Sequence, residues 1–205
     1  MATKLDIAVL AAAELTKDVV ANIATPQTGF ERAAAAVIDL VWRETLASST
    51  AWMEARRSVT IAKDGSADAT PPFDYLYRYR LPVKLVRLVR VFDTSERWVR
   101  EGRYILTDDA GPLKLVYIHE IEPEDADPLL ISAAAARLAW RVARRFTDDP
   151  NERDRLWGLF NQLKAEAQNV AGSQGQAIAR HPSTELEIAG VNSDTATLDA
   201  VERSR

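Results

Sequence analysis

The 205-residue chain has no cysteine, two histidines and two methionines, and its eight glycines are scattered. Without cysteine there is no disulfide framework, no thiolate zinc or iron–sulfur site and no thiol nucleophile, and the chain suits folding in a reducing cytosol. The glycines form no Gly-rich run before a helix, so no phosphate loop is present. No serine sits in a Gly-x-Ser-x-Gly setting. His119 lies in a strand-like stretch beside Glu120, and His181 lies far away beside Pro182, so no shared metal site is expected. No apolar run reaches the ~18 residues that cross a bilayer. The first ten residues carry Lys4 and Asp6 and read as ordinary helix rather than a signal peptide. Net charge is −4, which excludes a global basic field that recruits nucleic acid.

What is present is enough apolar sequence, 47%, for one domain or one core with a small satellite. Charge is uneven. Arg78 to Arg103 holds eight bases and three acids, whereas the chain from Ser183 onward holds five acids and two bases. A basic middle and an acidic tail can attract each other or neighbouring copies, although solvated faces explain both on charge alone.

Hydrophobic spacing divides the chain into helix, strand and helix blocks. Ile7, Ala11, Leu15, Val19 and Ile23 recur every fourth residue and predict a helix from about Leu5 to Ile23. Pro26 and Gly29 interrupt it. Thr28 and Glu31 have capping-box spacing, and a second helix is expected to run to about Met53, with Ala34, Val37, Ile38 and Val41 inward. The period then changes to two. Val59–Ile61 is β-branched, Asp64–Pro72 reads as a loop, and Tyr75, Tyr77 and Tyr79 alternate with Leu76, Arg78 and Arg80. Leu85–Phe92 is a strand carrying Arg87 and Arg90. A hairpin is expected about Glu101-Gly102, and Leu113–Ile121 is the last strand, with Leu113, Leu115 and Tyr117 on one face. Such short connections require mostly antiparallel pairing.

Helices resume at Pro128 behind Asp127, a good N-cap. Ile131, Ala135, Leu138, Val142 and Phe146 form the inner stripe, and Ala133–Ala136 permits close approach of another helix. A fourth helix follows Asp149-Pro150, with Glu152 at the box position and Leu156, Phe160, Leu163, Ala167 and Val170 inward. The expected fold is α+β. A four-helix bundle is formed by N-terminal (1–56) and C-terminal (123–172) helix pairs. A mostly antiparallel β domain (57–122) is inserted, and an extended tail (173–205) is flexible or ordered by a partner.

No catalytic, cofactor or metal residues are nominated. Asp108-Asp109 and Asp148-Asp149 are explained by turn and cap chemistry. The acidic linker Glu120, Glu122, Glu124, Asp125 and Asp127 lacks the order of a calcium loop. The candidate functional residues are arginines: Arg78, Arg80, Arg87 and Arg90 on the strands, and the ridge Arg137, Arg141 and Arg145 on the third helix. They serve either as a solvent face paired with acids of a neighbour or as a contact surface. A protein contact is preferred, because an acidic chain with no basic, aromatic-rich surface is a poor nucleic-acid binder.

One resemblance separates these readings. Tyr77-Arg78-Tyr79-Arg80-Leu81-Pro82, followed by Leu85, Leu88 and Val91, is similar to the tail tubular protein A family, the head-to-tail adaptors of short-tailed T7-like phages. Leu46 and Trp52 at the end of the second helix, the Glu101-Gly102 hairpin with Ile105-Leu106, Leu115-Val116-Tyr117, the run Ala133–Ala139 with Ala143, and Leu156, Leu163 and Ala167 follow in the family's order. The likeness spans Leu5 to Ala171. Met53-Glu54 stands where the family often has an aromatic–Asn pair, and the tail has no counterpart. The resemblance implies a non-enzymatic virion protein without cofactor, assembled in the host cytoplasm. It implies a ring of twelve between portal protein and tail nozzle protein, through which genomic DNA passes without sequence-specific binding and no membrane is involved. The alternatives are a head-completion connector of a long-tailed phage, a DNA-binding regulator that reads with the third helix, and a muralytic enzyme. The regulator is disfavoured by the apolar N-terminus of that helix, Leu129–Ala136, and the enzyme by the lack of a convincing acid pair.

Overall fold

The computed structural model describes residues 2–15, 19–65, 75–92 and 97–174. The expected loop from 66 to 72, the acids Asp93 and Glu96, and the tail from 175 onward lie outside the described residues. The fold is α+β, with four helices and two small antiparallel sheets. The helices are α1 (Lys4–Leu15), α2 (Gly29–Ser48), α3 (Pro128–Val142) and α4 (Pro150–Gln174). Among the described residues no helix is long and apolar enough to cross a membrane.

Local chemistry sets the helix ends. Thr28 accepts the Glu31 amide, and Glu31 reaches back to the Thr28 amide, so the expected capping box opens α2. Asp127 accepts the Leu129 amide and opens α3, and Asp149 accepts the Asn151 amide and opens α4. Glu152 does not complete a box; it pairs with Arg155.

Two helices are shorter than expected. α1 ends at Leu15, and residues 19–28 form a non-helical connection. The Glu31 carboxylate captures the Ala21 and Asn22 amides, at 2.8 and 3.2 Å, which holds that segment against α2 instead of in a helix. α2 ends at Ser48 because the chain turns back on itself there. The Trp52 indole donates to the Thr45 carbonyl, and Met53–Ala55 forms a single 3₁₀ turn.

The most extensive helix contacts are α1 on α3 and α2 on α3. Ala8, Ala11 and Ala12 are fully buried, as are Ala133, Ala134 and Ala139, so small side chains permit the approach. Ile38, Val41, Leu46, Leu130, Leu138, Leu156 and Phe160 fill the rest of a core to which all four helices contribute. Full burial of each large side chain contributes about 1.5–3 kcal/mol. Ion pairs join the helices at the surface: Lys4–Asp39, Glu44–Arg137 and Glu14–Arg155.

Six strands form the sheets. Sheet A has the order β1 (Arg56–Ile61), β6 (Leu113–His119), β3 (Leu85–Phe92); sheet B has β2 (Tyr77–Arg80), β5 (Tyr104–Thr107), β4 (Trp98–Glu101). Sheet A has two apolar faces. Ile118, Val86 and Val89 join the helical core, whereas Leu113, Leu115, Leu88 and Val91 meet Tyr79 and Ile105 of sheet B in a second core. The layers therefore run helices, sheet A, sheet B.

β3 is the unusual element. Its sequence is Leu-Val-Arg-Leu-Val-Arg, a period of three where a flat strand has two. The register skips Val86 and Val89, so two bulges set eight residues of β3 against six of β6. The extra valines pack on the helices, while Leu85, Leu88 and Val91 stay on the sheet B side.

The β4–β5 hairpin turns through Gly102-Arg103, because Glu101 pairs with Tyr104; this is one residue later than expected. Gly102 occupies the first turn position at φ 55°, a conformation favourable to glycine.

Candidate interface on the arginine-bearing sheets

The seven candidate arginines fall into three environments. Arg87 and Arg90 lie on sheet A. Arg87 donates to the Ala47 carbonyl, 3.0 Å, in the last turn of α2. That turn has no basic residue of its own, so a strand supplies the cation that its unsatisfied carbonyls and helix dipole favour. Arg90 stacks over Phe92, 4.5 Å from the ring centroid.

The ridge on α3 is mostly committed internally. Arg137 donates to Glu44 Oε2 at 2.9 Å, lies over the Phe160 ring, and is only 15% exposed. Arg141 reaches the same Glu44 oxygen at 3.5 Å. Arg145 is exposed and lies beyond the end of α3 in a 3₁₀ turn, so the three do not form one ridge. For Arg137 and Arg141 the acid comes from α2 of the same chain.

Arg78 and Arg80 come together with residues that alternation alone does not assemble. Tyr77 and Tyr79 pair with Thr107 and Ile105 and face inward, so Arg78 and Arg80, paired with Leu106 and Tyr104, face outward. Arg78, Arg80, Glu101, Gly102, Arg103, Tyr104 and Leu106 line an open groove of about 300 Å³ on that outer face. Arg78 is held at the groove by two hydrogen bonds to Asp64 Oδ2, 3.1 and 2.9 Å, and its guanidinium lies 4.5 Å from the Tyr104 ring centroid. Arg103 is positioned by donation to the Val83 carbonyl, 2.9 Å. Leu106 is buried and forms the apolar floor. Arg80 is exposed, with no ion-pair partner among the described residues. The groove is basic but carries a single aromatic ring, Tyr104. The sequence signal for it was the Arg-x-Arg alternation, but the contributions of Arg103 and Tyr104 need the β2–β5 register.

Titratable groups elsewhere serve structure. Glu31 is 1% exposed and its carboxylate accepts four backbone amides, from Ala21, Asn22, Gln27 and Thr28, which hold its pKa at about 2. His119 is pushed below the usual histidine value by burial and then by Arg57 and Lys84. Tyr79, its pKa raised by burial and by Asp109, bonds through its hydroxyl to the carbonyls of Asp109 and Gly111 and pins the β5–β6 turn. Asp108 accepts from Arg97 and the Leu76 amide, which lowers its pKa. Glu120 of the acidic linker pairs with Arg43. Among the described residues no group of three or more His, Cys, Asp or Glu is placed to hold a metal ion. No protein-family model matches the chain, and no curated protein is detectably similar to it.

Proposed function

We propose that the chain is a structural subunit of a phage head-to-tail adaptor, similar to the tail tubular protein A family, that joins portal to tail nozzle as a ring of twelve. In this reading the four helices act as one bundle that forms the rigid body of a wedge. The β segment between the helix pairs is its inserted module, and no bond is made or cut. The protein works in the virion, with DNA passing through the ring.

The observation that carries the reading is the shared helical core. Buried residues of α1 and α2, from one end of the chain, interlock with those of α3 and α4, from beyond the strands. A body closed by both ends of the chain resists shear, which a load-bearing connector needs. The placement of charge supports it as well. The sheet segment from 56 to 119 has twelve bases and eight acids, against a whole-chain charge of −4, so the two parts of the protomer differ in sign. Oppositely charged flanks favour head-to-tail contacts between copies, the kind that close rings.

Mixing the full chain with purified portal rings and following co-sedimentation tests the reading. Stoichiometric binding that weakens from low to high salt is expected, since screening acts on exposed charges. Failure to bind portal at any salt would reject the reading.

A further inference from the structure

We propose that the outer face of sheet B is a binding site for the phosphodiester backbone of duplex DNA, sequence-independent and weak. The proposal deepens the adaptor reading, in which DNA passes the protein. It rests on that reading only for its setting, because the groove and its test belong to the single chain.

Three guanidiniums meet at the groove, and two are pre-positioned. Arg78 is fixed by Asp64 and Tyr104, and Arg103 by the Val83 carbonyl. Ordering a guanidinium before binding removes part of its entropy cost. Arg80 stands two residues from Arg78 on the same face, about 7 Å along the strand. It is exposed, as Arg103 is, and with no ion-pair partner among the described residues its head group is available to a phosphate oxygen. Arginine suits phosphate because its planar donors match the oxygen geometry.

The groove also indicates which form of nucleic acid. Single strands are gripped by stacking bases on free aromatic faces. Here the one aromatic ring lining the groove, Tyr104, already carries the Arg78 guanidinium at 4.5 Å. A ring covered in this way offers no platform for a base, which leaves backbone contact. No Asn or Gln lines the groove to read adenine, and two of its three guanidiniums, which could otherwise read guanine, are tied to Asp64 and the Val83 carbonyl, so contact to phosphate without sequence preference is the expected mode. Glu101 at the rim and the negative charge of the rest of the chain limit affinity. A wall past which DNA must move requires such weak retention.

The test is fluorescence anisotropy of the full chain with a labelled duplex of about 20 base pairs, in two unrelated sequences. With Arg78 already neutralised by Asp64, the two phosphate contacts of Arg80 and Arg103 predict an affinity loss of about 12-fold between about 50 and 200 mM salt, equal for both sequences. R80E and R80Q should each weaken binding and reduce the salt slope by about one, while the charge-matched R145E leaves the slope unchanged. Because Arg80 has no structural partner, circular dichroism should show both R80 variants folded. Three results would overturn the proposal: no binding at low salt, equal losses in R145E and R80E, or preference for one duplex. Displacement by inorganic phosphate at matched ionic strength would also overturn it, by showing a free-anion site. Tighter binding to the single-stranded than to the duplex form would reject the role assigned to Tyr104. If the chain binds duplex but ignores portal rings, the adaptor reading fails and the groove stands.

Discussion

Glu31 shows how one side chain decides where a helix stops. Its two oxygens accept four backbone amides, all in the connection that precedes α2. The stabilised form is the carboxylate, so the folded pKa, about 2, lies below the ordinary value of 4.5. The sign follows: the contribution is complete above about 4.5 and is lost as pH falls toward 2. E31Q should lower the melting temperature at neutral pH, since the amide nitrogen cannot accept. It should also flatten the dependence of stability on pH between 4.5 and 2, as thermal melts across that range would show. His119 acts at higher pH. Its Nδ1 is buried without a partner, and its folded pKa is depressed, so it is held neutral. Protonation favours the unfolded chain, and stability should fall as pH drops below about 6.5. Melts of H119Q should lack that decline; an unchanged decline would assign it to other groups.

The elements divide by how local their determinants are. The α2 capping box and the Asp127 and Asp149 caps were legible because cap and capped amide lie within three residues. The inward stripes of α2 and α3 were legible because period 3.6 needs no partner. The true end of α1 was not, because Val19 and Ile23 continue the stripe while a carboxylate on α2 takes the amides beside them. Nor was the form of β3. Leu-Val-Arg-Leu-Val-Arg is visible as a triplet, but only pairing with β6 turns it into two bulges that feed valines to one core and leucines to the other. The groove likewise needed the register of β2 on β5. Three substitutions test these elements. A134L adds volume to a fully buried position on the helix that α1 and α2 both pack against, and should cost about 1–3 kcal/mol by overpacking, read by urea denaturation. L130A should cost about 2–5 kcal/mol through the cavity it leaves. R87A removes the cation at the end of α2 and should cost about 0.3–1 kcal/mol, less in high salt. A larger loss of portal binding than of stability in R87A would move Arg87 from the helix end to the interface.

The molecule has a helical body, a sheet shared between two cores, and a second sheet on which Arg80 is exposed. Most of the charged residues singled out in the sequence serve the body: Arg137 and Arg141 close on Glu44, Arg87 on α2, and Arg78 on Asp64. Arg80, Arg90 and Arg145 are exposed with no ion-pair partner among the described residues, on sheet B, on sheet A and beyond the end of α3. Under the adaptor proposal, contacts between copies and with portal should therefore respond more to R80E and R145E than to R137Q, whose first effect is on folding. If the protein acts as a wedge among identical wedges, particle imaging of the full chain mixed with portal rings settles the matter. The expected images show a ring with twelve 22.7 kDa protomers stacked on the portal. Protomers that stay single and leave the portal bare would contradict it.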